Sequence, residues 1–142
     1  MENRRTLRLN AANLQDLEPI RNFIEEEIKS YRVDASAVYD ILLSVTEMAT
    51  NIIVHGYQGK SGPLEIDVGR QGDTVVITLR DQAPPFDPTQ VLTPDTSLPL
   101  EQRPLGGMGV HLCREFMDHM SYRYIPDKGN ELILKKKGAA EN

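Results

Sequence analysis

LLSVTEMATNIIVHGY, residues 42–57, reads as a helix carrying a polar stripe through an apolar surface. Val38, Ile41, Leu42, Val45, Met48, Ala49 and Ile52 recur every three or four residues, the period of a helix with one buried face. Asp34 supplies an N-cap ahead of it, and His55-Gly56 mark its end. Steps of four residues advance about 40° around a helix, so Asp40, Ser44, Glu47, Asn51 and His55 form one slowly drifting polar face. A solvated face is the ordinary explanation of such a stripe. Two features oppose it. Residues 41–54 are otherwise almost all apolar, which suits a covered helix. Asparagine is also a poor helix-interior residue, because its side chain competes for backbone bonds. A half-buried Asn51 needs partners, and a metal ion is one.

On either side of this helix the chain alternates between two periods. Residues 4–9 suggest a short strand, with Leu7 and Leu9 alternating with polar positions. A helix follows from near Asp16, carrying Leu17, Ile20, Ile24, Ile28 and Tyr31 inward, with Pro19 in its first turn. After the central helix, Leu64, Ile66 and Val68 alternate, as do Val75, Ile77 and Leu79, with a turn at Gln71-Gly72-Asp73. Residues 82–105 hold six prolines and little periodicity, and read as a lid. A third helix is expected from about Gly107 to Met120, with Val110, Cys113, Phe116, Met117 and Met120 inward. Strands near 121–126 and 131–137 close the chain around a turn at Lys128-Gly129-Asn130. Strand pairs joined by tight turns predict a mostly antiparallel sheet. With helices on one face this is an α+β, two-layer α/β sandwich.

At 142 residues the chain is expected to form one domain, residues 1–142, large enough for a single core. It has 16 Lys+Arg against 21 Asp+Glu, a net charge of −5, which argues against direct binding of nucleic acid or an anionic membrane. The basic runs Arg4-Arg5 and Lys135-Lys136-Lys137 read as solvated strand ends. The single cysteine, Cys113, excludes an internal disulfide and reads as a core residue. No signal-peptide pattern or membrane-length stretch stands out, so the expected location is cytoplasmic.

Two further motifs carry chemistry. LGGMGVHL, residues 105–112, puts Gly106, Gly107 and Gly109 at a helix start, where free backbone N–H groups and the helix dipole favour phosphate. It is neither a P-loop nor a GxGxxG fingerprint. DQAPPFDP, residues 81–88, ends a strand with Asp81. Such an aspartate either initiates a turn or accepts a hydrogen bond from an exocyclic amine such as that of adenine. His111, His119 and Cys113 have no zinc-ligand spacing.

Taken in order, TEMATNIIVHGY, DQAPPFDP and GGMGVHLCREFMD resemble the N box and the two glycine boxes of the GHKL (Bergerat-fold) ATP-binding family. Among its members the chain looks like the short bacterial anti-sigma-factor serine kinases, the RsbW and SpoIIAB type. The resemblance covers nearly the whole chain and implies an ATP-dependent serine/threonine protein kinase using ATP and Mg²⁺. Its partners would be a STAS-domain anti-anti-sigma protein and a sigma factor, and it allows a homodimer. By the resemblance, Glu47 is the general base toward an acceptor hydroxyl and Asn51 binds Mg²⁺. Asp81 bonds the adenine amino group. His55, Ala83, Phe86, Gly106, Gly107, Met108, Gly109, Val110 and Asn130 complete the ATP site. Departures are Ala83 where the family has glycine, Leu105-Gly106 where some kinases carry a lid arginine (Arg103 is the nearest), and Asn130 in place of a late threonine. The alternative is an ATP-gated binding module with little or no transfer. A third reading, an interaction domain without nucleotide, is disfavoured by the coexistence of Glu47, Asn51, Asp81 and the glycines.

Overall fold

The computed structural model describes residues 2–92 and 107–141. Five strands form one sheet: β1 (Glu2–Ala12), β2 (Gly62–Gln71), β3 (Thr74–Asp81), β4 (His119–Ile125) and β5 (Gly129–Lys136). Their order is β1-β2-β3-β5-β4, and every neighbouring pair is antiparallel. Three helices complete the α+β fold: α1 (Leu17–Lys29), α2 (Ala35–Thr50) and α3 (Gly107–Phe116). Ile66, Val68, Ile77, Leu79 and Leu134 point from the sheet into one core with Ile20, Ile24, Ile41, Val45 and Met48 of the helices. The strands alternate because one face is covered by helices and the other is not.

Local chemistry sets the helix ends. Asn13 caps a 3₁₀ turn at Leu14–Asp16 in a reciprocal capping box, and α1 continues from it with Pro19 in its first turn. The Asp34 side chain accepts the Ala37 N–H at 2.9 Å and starts α2. At Asn51 the winding widens into a π turn, Asn51–Gly56, closed by Tyr57 N–H to the Ile52 carbonyl at 2.8 Å. The widened turn opposes the α-helical drift and holds His55 on the side of Asn51. Ala35–Gly56 together span 22 residues, long and apolar enough to cross a membrane by length and composition. That corrects the expectation that no stretch reaches this length. Its apolar face is the one packed into the core, and half of its most apolar window is buried.

Other boundaries also move. The expected third helix to Met120 stops at Phe116, because β4 begins at His119 and pairs with β5. Lys136 caps that end, its ammonium donating to the Phe116 carbonyl at 2.5 Å and pairing with Asp40 at 3.1 Å. The last turn lies two residues earlier than expected, at 126–128, with Asp127 at φ 70°, and Gly129 and Asn130 belong to β5.

The basic runs are not merely solvated. Arg5 bonds Glu27 at 3.1 Å, and Arg4 approaches Asp67 at 3.6 Å. On the sheet face away from the helices, register lines up Arg8, Glu65, Arg80, Glu131 and Arg123 across β1, β2, β3, β5 and β4. All four neighbouring pairs in that row are hydrogen-bonded ion pairs, at 2.6 to 3.1 Å. Arg80 also donates to Asp67 at 2.6 Å, and Thr6 adds a second bond to that carboxylate. Alternating charge in one row is the sheet form of opposite-charge pairing.

Candidate functional site

α2 and α3 pack side by side, and a cleft opens between the end of one and the start of the other. Its lining is Glu47, Thr50, Asn51 and His55 from α2 and its π turn, and Gly109 and Val110 from α3. More than fifty residues of chain thus close into one site. The contact is tight: a Cβ on Gly109 would overlap the Glu47 carboxylate oxygen Oε2. Only a residue without a side chain lets the carboxylate lie on the first turn of α3. Glu47 and Asn51 are half-buried, and neither side chain hydrogen-bonds to another among the described residues. Both present hard oxygen donors, which suit Mg²⁺. That ion is ordinarily held by one or two protein oxygens together with substrate phosphates. Among the described residues no three His, Cys, Asp or Glu side chains converge, so a bound Mg²⁺ would rely on such phosphate ligands.

The second half of the site is the end of β3. Asp81 is 6% exposed, and its Oδ1 accepts the Ala83 N–H and the Asn130 amide, each at 2.9 Å. Its other oxygen, Oδ2, accepts no hydrogen bond among the described residues and is the acceptor left for a ligand. Burial raises the Asp81 carboxyl above its usual range, while the bonds from Asn130 and Ala83 pull it back. Asn130 uses its whole amide on the protein. Its nitrogen also donates to the Ala83 carbonyl at 3.0 Å, and its oxygen accepts from Phe86 N–H at 3.3 Å and from the Tyr122 hydroxyl. Ala83 is buried beside Asp81, and Phe86 is exposed at the rim. Asp87 then caps a 3₁₀ turn at Pro88–Gln90, whose Thr89 carbonyl takes a bond from Arg114 of α3 at 3.3 Å.

The remaining expected residues divide. Gly107 begins α3, and Met108 is exposed in its first turn. Residues 93–105 of the lid, with Arg103 and Leu105, and Gly106 after it lie outside the described residues. Of the polar stripe, Asp40 pairs with Lys136 and Ser44 is fully buried near Cys113, so neither reaches the cleft. Cys113 is a core thiol, pushed up to about 12 chiefly by burial. Sequence reasoning missed Thr50, Tyr57, Tyr122 and Gly129. Gly129 has φ 109°, and a Cβ there would strike the Asp81 carbonyl oxygen. Gly129→Ala is expected to destabilise the fold by about 1–3 kcal/mol, read as a lower urea midpoint. An unchanged midpoint would contradict this packing.

Comparison with known proteins follows the same outline. Residues 10–136 match the histidine kinase-like ATPase domain. The chain belongs to the histidine kinase-like ATPase family. Within that family it is similar to an anti-sigma F factor of Clostridium kluyveri, 30% identical over 99 residues, 68% of each chain. It is 29% identical over 112 residues to the serine/threonine-protein kinase BtrW of Bordetella bronchiseptica, 78% of each chain. It is 28% identical over 103 residues to the serine-protein kinase RsbW of Bacillus cereus, 70% of this chain and 63% of the other. A Mycobacterium tuberculosis structure with RsbU and RsbW domains superposes with TM-score 0.65 at 15% identity. That match covers 97% of this chain and a third (33%) of the other, and is a likeness of fold. Membership in a family of ATPase domains implies ATP use.

Proposed function

We propose that this chain is an ATP-dependent serine/threonine protein kinase acting as an anti-sigma-factor-type regulator. It phosphorylates a STAS-type anti-anti-sigma partner and switches between that partner and a sigma factor, in the cytoplasm and as a homodimer. Residues 1–142 work as one ATPase unit, with residues 82–105 as its lid. The observation that carries this reading is the Glu47 carboxylate seated on Gly109, beside Asn51. It puts a proton acceptor, a hard oxygen ligand and a helix N-terminus around one cleft.

In this reading Asp81 Oδ2 accepts the adenine amino group, and Ala83 and Phe86 flank the base. The backbone at Gly106, Gly107, Met108, Gly109 and Val110 holds phosphate oxygens at the start of α3, where unpaired N–H groups gather. Asn51 holds Mg²⁺, with His55 at its side. When bound, that ion would supply neutralisation of the phosphate charge at this end of the cleft. Glu47 orients the incoming serine or threonine hydroxyl and takes its proton as the oxygen–phosphorus bond forms. The bond from the γ-phosphorus to its bridging oxygen breaks, and that electron pair leaves on ADP. Such transfer depends on positioning and charge stabilisation more than on covalent help from the protein.

One observation favours a second reading, an ATP-gated binding module. The described cleft lining contains no lysine or arginine. Incubation with labelled Mg-ATP and candidate STAS proteins decides between them. Label on a partner serine or threonine supports the kinase. ATP-dependent capture without label supports the gated module and sinks the kinase.

A further inference from the structure

We infer that Tyr57 is a positioning residue that ties the metal-side helix to the base-reading end of β3, and so sets which purine the site accepts. The inference rests on the ATP-site reading above. Tyr57 follows the π turn that carries Asn51 and His55. Its hydroxyl accepts the Gln82 N–H at 2.8 Å and donates to the Pro63 carbonyl at 2.5 Å. Gln82 directly follows Asp81, and Pro63 directly precedes Leu64, the register partner of Asp81. One hydroxyl therefore holds both strands at the level of the base-reading carboxylate. The ring lies so close over Gly62 that a Cβ there would overlap it. Next to it, a Cβ on Gly56 would come within 2.9 Å of the Ala83 Cβ, so the backbone of the π turn sits directly against the turn after Asp81.

Among the described residues, the Tyr57 hydroxyl makes the one side-chain hydrogen bond joining residues 51–57 to residues 81–86. The span between Asn51 and Asp81 is the span between phosphate and base in a bound nucleotide. A tie there fixes the carboxylate relative to the metal side. Burial raises the phenol above its usual range, the Gln82 N–H lowers it and the Asp81 charge raises it again, so the hydroxyl keeps its proton at neutral pH. It can then donate to Pro63 and accept from Gln82 at once.

Tyr57→Phe keeps the ring over Gly62 and removes only the hydroxyl. The test compares Mg-ATP and Mg-GTP binding in the wild type and in this variant, by competition calorimetry. Mg-ATP affinity is expected to fall about three- to tenfold, the scale of one lost hydrogen bond. Mg-GTP affinity should change less, so discrimination between the two bases shrinks. Gln82→Ala retains the backbone donor and should match the wild type. Unchanged ATP binding in Tyr57→Phe, or equal weakening toward both nucleotides, overturns the positioning role while leaving the ATP-site reading intact. A wild type that binds neither nucleotide overturns both.

Discussion

Glu47→Gln is expected to lower phosphate transfer to a partner serine or threonine by about 10²–10⁴-fold, with Mg-ATP affinity changed only a few-fold. The substitution preserves shape, so the side chain still fits against Gly109, where no Cβ intervenes. It removes the carboxylate's capacity to take a proton. Asn51 and the α3 N-terminus, one turn away and across the cleft, keep their donors and acceptors. Loss of turnover with retained binding separates a transition-state role from uniform binding. Single-turnover transfer and calorimetry on the same preparation give both numbers. Equal loss of binding and transfer would reassign Glu47 to holding the nucleotide.

Arg80→Met is expected to destabilise the fold by about 3 kcal/mol. Arg80 donates to Asp67, which is fully buried, and to Glu131, which is 5% exposed. Removing it strands two buried carboxylates with incomplete pairing. Thr6 and Arg4 still reach Asp67, and Arg123 still reaches Glu131, which keeps the loss at the low end for a broken buried pair. Arg80→Lys should recover only part of it, since a single ammonium cannot span Glu65, Asp67 and Glu131 as a guanidinium does. The loss depends on pH. Burial by itself raises both carboxyls, but hydrogen bonds and the arginine charges outweigh it and hold both below their ordinary values of 3.8 and 4.5. Their contribution is therefore complete above those ordinary values and disappears as pH falls through the lowered ones. Urea midpoints of wild type and variant should converge in acid. A constant gap from neutral pH into acid would contradict the ion-pair origin.

What the sequence disclosed is what local spacing encodes. The apolar period of α2, its Asp34 cap, the alternation in β2 and β3, and the grouping of Glu47, Asn51 and His55 each lie within one segment. The glycine at 109 was legible as a helix start. Its role as the seat of the Glu47 carboxylate was not, because the two are sixty-two residues apart. The same holds for Arg80, whose partners come from β2 and β5 and are set by register across three strands. Asn130 read as a turn residue because Lys-Gly-Asn is good turn chemistry, yet Asp127 takes the left-handed position and Asn130 faces Asp81. α3 ended early because pairing of β4 with β5 claimed His119 and Met120 from the helical period. The tail misled in another way. Ala139 and Ala140 are buried, with Ala140 N–H bonded to the Asp73 carbonyl at 2.8 Å, and small residues give no sequence signal of such docking.

The shortest route to a decision is a calorimetric titration of the wild type and Asn51→Ala with Mg-ATP. One saturable ATP per wild-type chain, weakened about 100-fold or more by Asn51→Ala, is the expected result. Absence of saturable binding in the wild type, or equal binding by the two proteins, would mean that the cleft between α2 and α3 is not a Mg-ATP site.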